Sequence, residues 1–114
     1  MASSFYIVYH HFKPEMASQW WSKTGTLMND EAAFAKNIEI TMMKGFFNHS
    51  FMPMALEGPI YCVWEVKEGI SCSEFQDFID GPDGVNWGLV ALNNNTMKLD
   101  LTLTGGQTPY DRKF

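Results

Sequence analysis

The stretch Phe5-Tyr-Ile-Val-Tyr-His-His-Phe12 restricts the possible folds of this chain more than any other. With a period of two, it places Phe5, Ile7, Tyr9 and His11 on one face and Tyr6, Val8, His10 and Phe12 on the other. Both faces are mostly apolar. A strand with one wet face alternates apolar with polar residues, so this one belongs at the centre of a sheet covered on both sides. The 114 residues suffice for one domain with one core. Hydrophobic residues make up 46% and charged residues only 18%, against roughly 25% charged in ordinary soluble domains. A small monomer needs less apolar matter than that, and the surplus points to a subunit interface, a ligand pocket, or both.

Downstream, Lys13-Pro14 ends the strand, and Pro14 suits the first position of a helix, where its missing N–H is not needed. Met16, Trp20, Thr24 and Met28 then recur every four residues. Gly25 and Thr26 weaken that helix, Asn29-Asp30-Glu31 supplies a fresh cap, and Phe34, Ile38 and Met42 form a second stripe. One kinked helix or two consecutive ones therefore end near Lys44-Gly45. Phe46 to Met52 reads as a second strand with Phe47, His49 and Phe51 on one face and Asn48, Ser50 and Met52 on the other, and Pro53 puts it at an edge or ends it. Beyond the turn residues Glu57-Gly58-Pro59, Ile60 to Val66 is a third strand, forming an antiparallel hairpin with the second. Ser71 and Glu74 have capping-box spacing, and Phe75, Phe78 and Ile79 give a short helical face that ends at Gly81-Pro82. Residues 83–95, with two glycines and three consecutive asparagines, read as an irregular crossover. Met97 to Leu103 alternates and is expected to be the last strand, with Met97, Leu99, Leu101 and Leu103 inward. The domain then spans 1–104, and 105–114 is a tail that crosses to a partner subunit or stays free.

Strand, helix, strand, strand, helix, strand is the ferredoxin-like βαββαβ order of an α+β protein with a four-stranded antiparallel sheet. With this length, the two-sided first strand and the Lys-Pro entry into the helix, the chain resembles the dimeric α+β barrel superfamily. The resemblance covers about residues 4 to 104 and implies helices on one face of each sheet and two sheets packed by their other faces around a cavity. It also implies a range of activities, among them cofactor-independent monooxygenases, haem-degrading and polyketide-processing enzymes, and stress proteins. The haem-binding branch carries a helical histidine, whereas Gln19-Trp20-Trp21-Ser22 has none, so no cofactor is expected.

Thirteen acids against eight bases give a charge of −5, and no Lys/Arg run is present to neutralise phosphates. Nucleic acid and anionic membrane surfaces are therefore poor partners. No apolar run reaches the length of a membrane span and no secretion signal opens the chain, so a cytoplasmic protein is expected, with Cys62 and Cys72 as free thiols. His10 and His11 are adjacent on a strand, point to opposite faces and cannot chelate one metal together. The plain alternative makes one a hydrogen-bonded core histidine and leaves the other near water. No metal is expected.

His49 sits between Phe47 and Phe51, where a lone imidazole suits a donor to a ligand oxygen or a neutral base; an exposed edge histidine is the competing reading. Four tryptophans, nine phenylalanines and eight methionines make an adaptable interior. The expected site is thus an apolar pocket lined by Phe47, His49, Phe51 and Trp64, with Tyr9, Trp20 and Met52 as neighbours. The expected function is a homodimer binding an apolar or elongated small molecule, fatty-acid-like or polyketide-like. The alternative is a cofactor-independent monooxygenase or isomerase of the barrel type with a histidine as base.

Overall fold

The computed structural model describes residues 2–114. Four strands, β1 (Ser4–Phe12), β2 (Phe46–Pro53), β3 (Ile60–Val66) and β4 (Leu92–Lys98), pair antiparallel in the order β2-β3-β1-β4. The protein is α+β, and this order is compatible with a ferredoxin-like fold. As its two apolar faces require, β1 is interior, registered with Tyr6 opposite Trp64 on β3 and His10 opposite Asn94 on β4. The helices α1 (Ala17–Met28), α2 (Glu31–Lys44) and α3 (Cys72–Asp80) connect the strands. Tyr6, Val8, Cys62, Trp64, Phe75 and Ile79 form the heart of the buried cluster between sheet and helices. Each large apolar side chain there contributes about 1.5–3 kcal/mol by leaving water.

Local signals in the sequence place most boundaries. The first helical region is two helices, because Asp30 accepts from the Ala33 N–H at 3.0 Å and restarts the chain as α2. Gly45, at φ 97°, closes α2 in the left-handed conformation that a side chain resists. Ser71 and Glu74 form the reciprocal capping box of α3. Pro14, in contrast, is not the first helical residue: α1 starts at Ala17, after Glu15 takes a left-handed turn at φ 66°. The stripe of α2 is also only lightly used. Thr41 is its one buried residue; of the stripe, Phe34 is exposed and Ile38 and Met42 are half-buried.

Three expectations are corrected. The last strand is Leu92–Lys98 and not Met97 to Leu103; antiparallel pairing brings Lys98 opposite Tyr6 and Leu99 N–H to the Phe5 carbonyl, so β1 has almost no length left for residues beyond. Residues 99–106 turn instead, and Leu103 is 84% exposed. The asparagine run is strand because Asn94 and Thr96 point to the helical side and bond there, Thr96 to Gln76 at 2.7 Å. Second, a bulge at His49 shifts the β2–β3 register between Asn48 and Ser50. Asn48 and Phe51 therefore share the helical face with Trp64 and Cys62, while Phe47 pairs across from Glu65 on the other face. Third, residues 107–114 do not hang free. They fold back over the non-helical face, where Tyr110 stacks on His49 at 4.7 Å and Arg112 Nε donates to Ser3 Oγ at 3.1 Å.

Candidate functional site

A cavity of about 210 Å³ lies between the sheet and the helices. Its floor is the helical face of the sheet, from Asn48 and Trp64 through Phe51 and Cys62 to Ile60 and His10. Trp20, Thr24 and Met28 of α1 roof it, together with Ile38 and Thr41 of α2 and Val85 and Trp87 of the crossover. Two indoles hold that roof: Trp20 Nε1 donates to the Val85 carbonyl at 2.6 Å, and Trp87 Nε1 donates to Thr24 Oγ1 at 2.8 Å. The crossover itself is anchored by buried Asn86, whose Oδ1 accepts from the backbone N–H groups of Ala91 and Leu92. Most of the lining is apolar.

Within that lining, His10 is 1% exposed. Asn94 Nδ2 donates to Asp80 Oδ1 at 3.0 Å and to the Ile79 carbonyl at 3.5 Å, which leaves Asn94 Oδ1 to meet His10 Nδ1 at 2.6 Å. An amide oxygen only accepts, so Nδ1 carries the proton and Nε2 presents a lone pair. Nε2 has no partner. Burial holds the His10 pKa below the usual histidine value, opposed by the Asn94 hydrogen bond and the charge of Asp80. Among the described residues Asn48 Oδ1 at the cavity is also unpartnered, and Trp64 Nε1 has only the Cys62 thiol beside it. Cys62, between these groups, is a poor nucleophile, its thiol pushed up to about 12 mainly by burial.

A stability signature follows from His10. Because the folded state resists protonation below 6.5, the unfolded chain takes up the extra proton there. Stability should therefore fall as the pH drops below 6.5 toward the depressed folded value. Urea unfolding at about pH 7.5 and about pH 5.5 should show the decline, with a shallower slope in His10→Phe.

The residues expected at one pocket separate into two groups. Trp20, Phe51 and Trp64 line the cavity with their side chains on the helical face. Tyr9 and Met52 lie on the opposite face, Tyr9 against Tyr61 at 5.2 Å between ring centroids. Phe47 and His49 border the cavity at the edge strand, but their rings meet each other and Tyr110 on the outer side. There His49 Nε2 donates to Glu65 Oε1 at 2.8 Å. Glu65 is fully buried and also accepts from Ser3 Oγ at 2.6 Å and from the Lys113 and Phe114 N–H groups. With these four donors occupying its oxygens, the pair works as a structural latch for the chain end. No cluster of three His, Cys, Asp or Glu able to hold a metal forms among the described residues.

His10 carries the same sequence signal as His49, an imidazole in an apolar strand face between Val8 and Phe12. Asn94 and Asp80 have no such signal, since only the β1–β4 register and α3 bring them to His10. Neither a curated protein nor a solved structure matches the chain. Residues 5–107 match the model of a family described as a domain of unknown function, DUF8652, and the chain belongs to that family.

Proposed function

We propose that this protein binds a small, largely apolar molecule carrying an O–H or N–H donor, held in the cavity with the donor on His10 Nε2. The observation behind this reading is the buried Nε2, unpartnered among the described residues, in a mostly apolar lining. A buried acceptor left unbonded costs about 1–3 kcal/mol, a deficit that a guest's hydroxyl removes. Mass spectrometry of a solvent extract of the purified protein tests for a resident guest. Titration with primary alcohols and matched alkanes then tests the polar contact. Alcohols should bind more tightly, and His10→Phe should erase an advantage of about 0.5–1.5 kcal/mol while alkane affinity stays. Equal affinities in the wild type would refute the reading.

A second reading, a cofactor-independent enzyme with His10 as base, is favoured by the Asp80–Asn94–His10 chain, which fixes the tautomer a general base needs. Burial weakens that base, which favours accepting a hydrogen bond over removing a proton. Exchange of a β-diketone's acidic hydrogens with deuterated water faster than in free solution, with the acceleration lost in His10→Phe, would support catalysis.

We also propose a homodimer joined through the non-helical faces, in the manner of the α+β barrel. The tail covers the end of that face at Phe5 and Glu65, and the rows of Ile7 and Tyr9 remain only half-buried. Met52 and Met97, in the same rows, are 39% and 49% exposed. Light scattering at micromolar concentration should report a dimer, and Ile7→Asp, a buried unpaired charge in that interface, should dissociate or unfold it. A wild-type monomer would refute the assembly. No helix among the described residues is long and apolar enough to cross a membrane, and unpaired Cys62 and Cys72 fit a reducing cytoplasm.

A further inference from the structure

We infer that the cavity is built for a neutral guest with a polar group at each end, a diol or bisphenol in chemical class. This rests on the His10 reading and deepens it. His10 lies opposite Ile60 on β3, and Trp64 stands four residues further along that strand, about 13 Å of backbone at strand spacing. Asn48 is registered directly across from Trp64 on β2. The floor between these two ends is Cys62, Phe51 and Ile60, whose apolar surfaces offer a guest no hydrogen-bonding group beyond a weak thiol. Among the described residues His10 Nε2 at one end and Asn48 Oδ1 at the other therefore lack a partner, and Trp64 Nε1 beside Asn48 has only the weak Cys62 thiol as an acceptor.

The chemistry of each end selects the group it takes. The lone pair of Nε2 needs a donor. At the far end an indole N–H needs an acceptor and the neighbouring amide oxygen needs a donor, and a hydroxyl satisfies both at once. Charge excludes the anionic candidates. Among the described residues no lysine or arginine lines the cavity, its one carboxylate, Asp83, is already paired with Lys44 at 2.7 Å, and burial lowers the His10 pKa. A carboxylate guest would lose its hydration and meet Asn48 Oδ1 lone pair to lone pair. Fatty acids in their ionised form are thus disfavoured against alcohols and phenols of the same length.

The test compares α,ω-alkanediols from butanediol to dodecanediol with primary alkanols and carboxylates of the same length, by titration against the folded protein. One intermediate diol length should bind about two- to tenfold more tightly than its alkanol, the worth of one further hydrogen bond. In that complex the His10 Nε2 nitrogen resonance and the Trp64 indole proton should both shift, whereas the alkanol complex should shift only one. Trp64→Phe should remove the diol advantage and spare alkanol binding; Asn48→Leu provides the same comparison with the indole intact. Diols no better than alkanols at every length, or carboxylates binding as well as diols, would overturn the two-ended inference. If alkanols still exceed alkanes through His10, that reading survives alone. If no alcohol outbinds its alkane, both fall.

Discussion

Glu65→Ala is expected to destabilise the protein by about 3–5 kcal/mol, because it strips the acceptor from several donors at once and each buried polar group left unbonded costs about 1–3 kcal/mol. Glu65 lies mid-sheet with no exposure and accepts from Ser3, His49 and the backbone N–H groups of Lys113 and Phe114. Alanine leaves all four donors without their acceptor, two of them deep in the sheet, and removes the group that holds the last two residues to it. Urea unfolding should show the loss, and amide exchange should accelerate over residues 107–114 before it does so in β1. Glu65→Gln keeps the shape and one acceptor oxygen, so its loss should be smaller. A change below about 1 kcal/mol in Glu65→Ala would mean that the latch carries little. Acid should mimic the substitution. Burial alone would raise the Glu65 pKa, but the bonds from Ser3, His49 and the tail hold it below 4.5. Its contribution is therefore complete above 4.5 and lost as the pH falls through the depressed folded value.

Trp20→Ala is expected to cost about 3–5 kcal/mol, as large-to-small changes of a buried indole do. Trp20 is 2% exposed and packs against Phe12, Trp21 and Phe51, with Nε1 bonded to the Val85 carbonyl. The change removes packing, leaves that carbonyl unpaired and frees the crossover that roofs the cavity. Against the roughly 5–15 kcal/mol total stability of domains this size, the melting temperature should drop by more than about 10 °C. Trp20→Phe keeps most of the contact area and should lose much less. A bulky apolar guest that restored the alanine variant's stability would show that the space is shared with the cavity. If Trp20→Ala melts within about 3 °C of wild type, the roof is packed more loosely than its burial implies.

Local chemistry was legible in the sequence wherever a residue acts on its own neighbours. Asp30 caps α2, Gly45 closes it, and Ser71 with Glu74 starts α3, because each of these effects operates within one helical turn. The apolar faces of β1 likewise determined that it is interior, and Pro53 that β2 is at an edge, since both follow from what a strand can leave in water or unpaired. Trp20, Phe51 and Trp64 were legible as pocket residues because large apolar side chains have few other places to go.

Registers and closures were decided only in three dimensions. Alternation reveals which residues share a face but not where an extra residue enters, and the bulge at His49 reverses parity between Phe47 and Phe51. The leucine alternation after Met97 has the right period but too little of β1 left beside it. Asn94 becomes the partner of His10 through a pairing 84 residues apart in sequence, and Glu65 meets the tail across 48 and 49. By itself, then, the sequence determined the order of strands and helical regions and the two-sided central strand, but not the bounds of the last strand. Tertiary packing decided which histidine faces the cavity and which one holds the chain end, because a side chain's hydrogen-bond partners are set by strand register and distant segments, which no local pattern encodes.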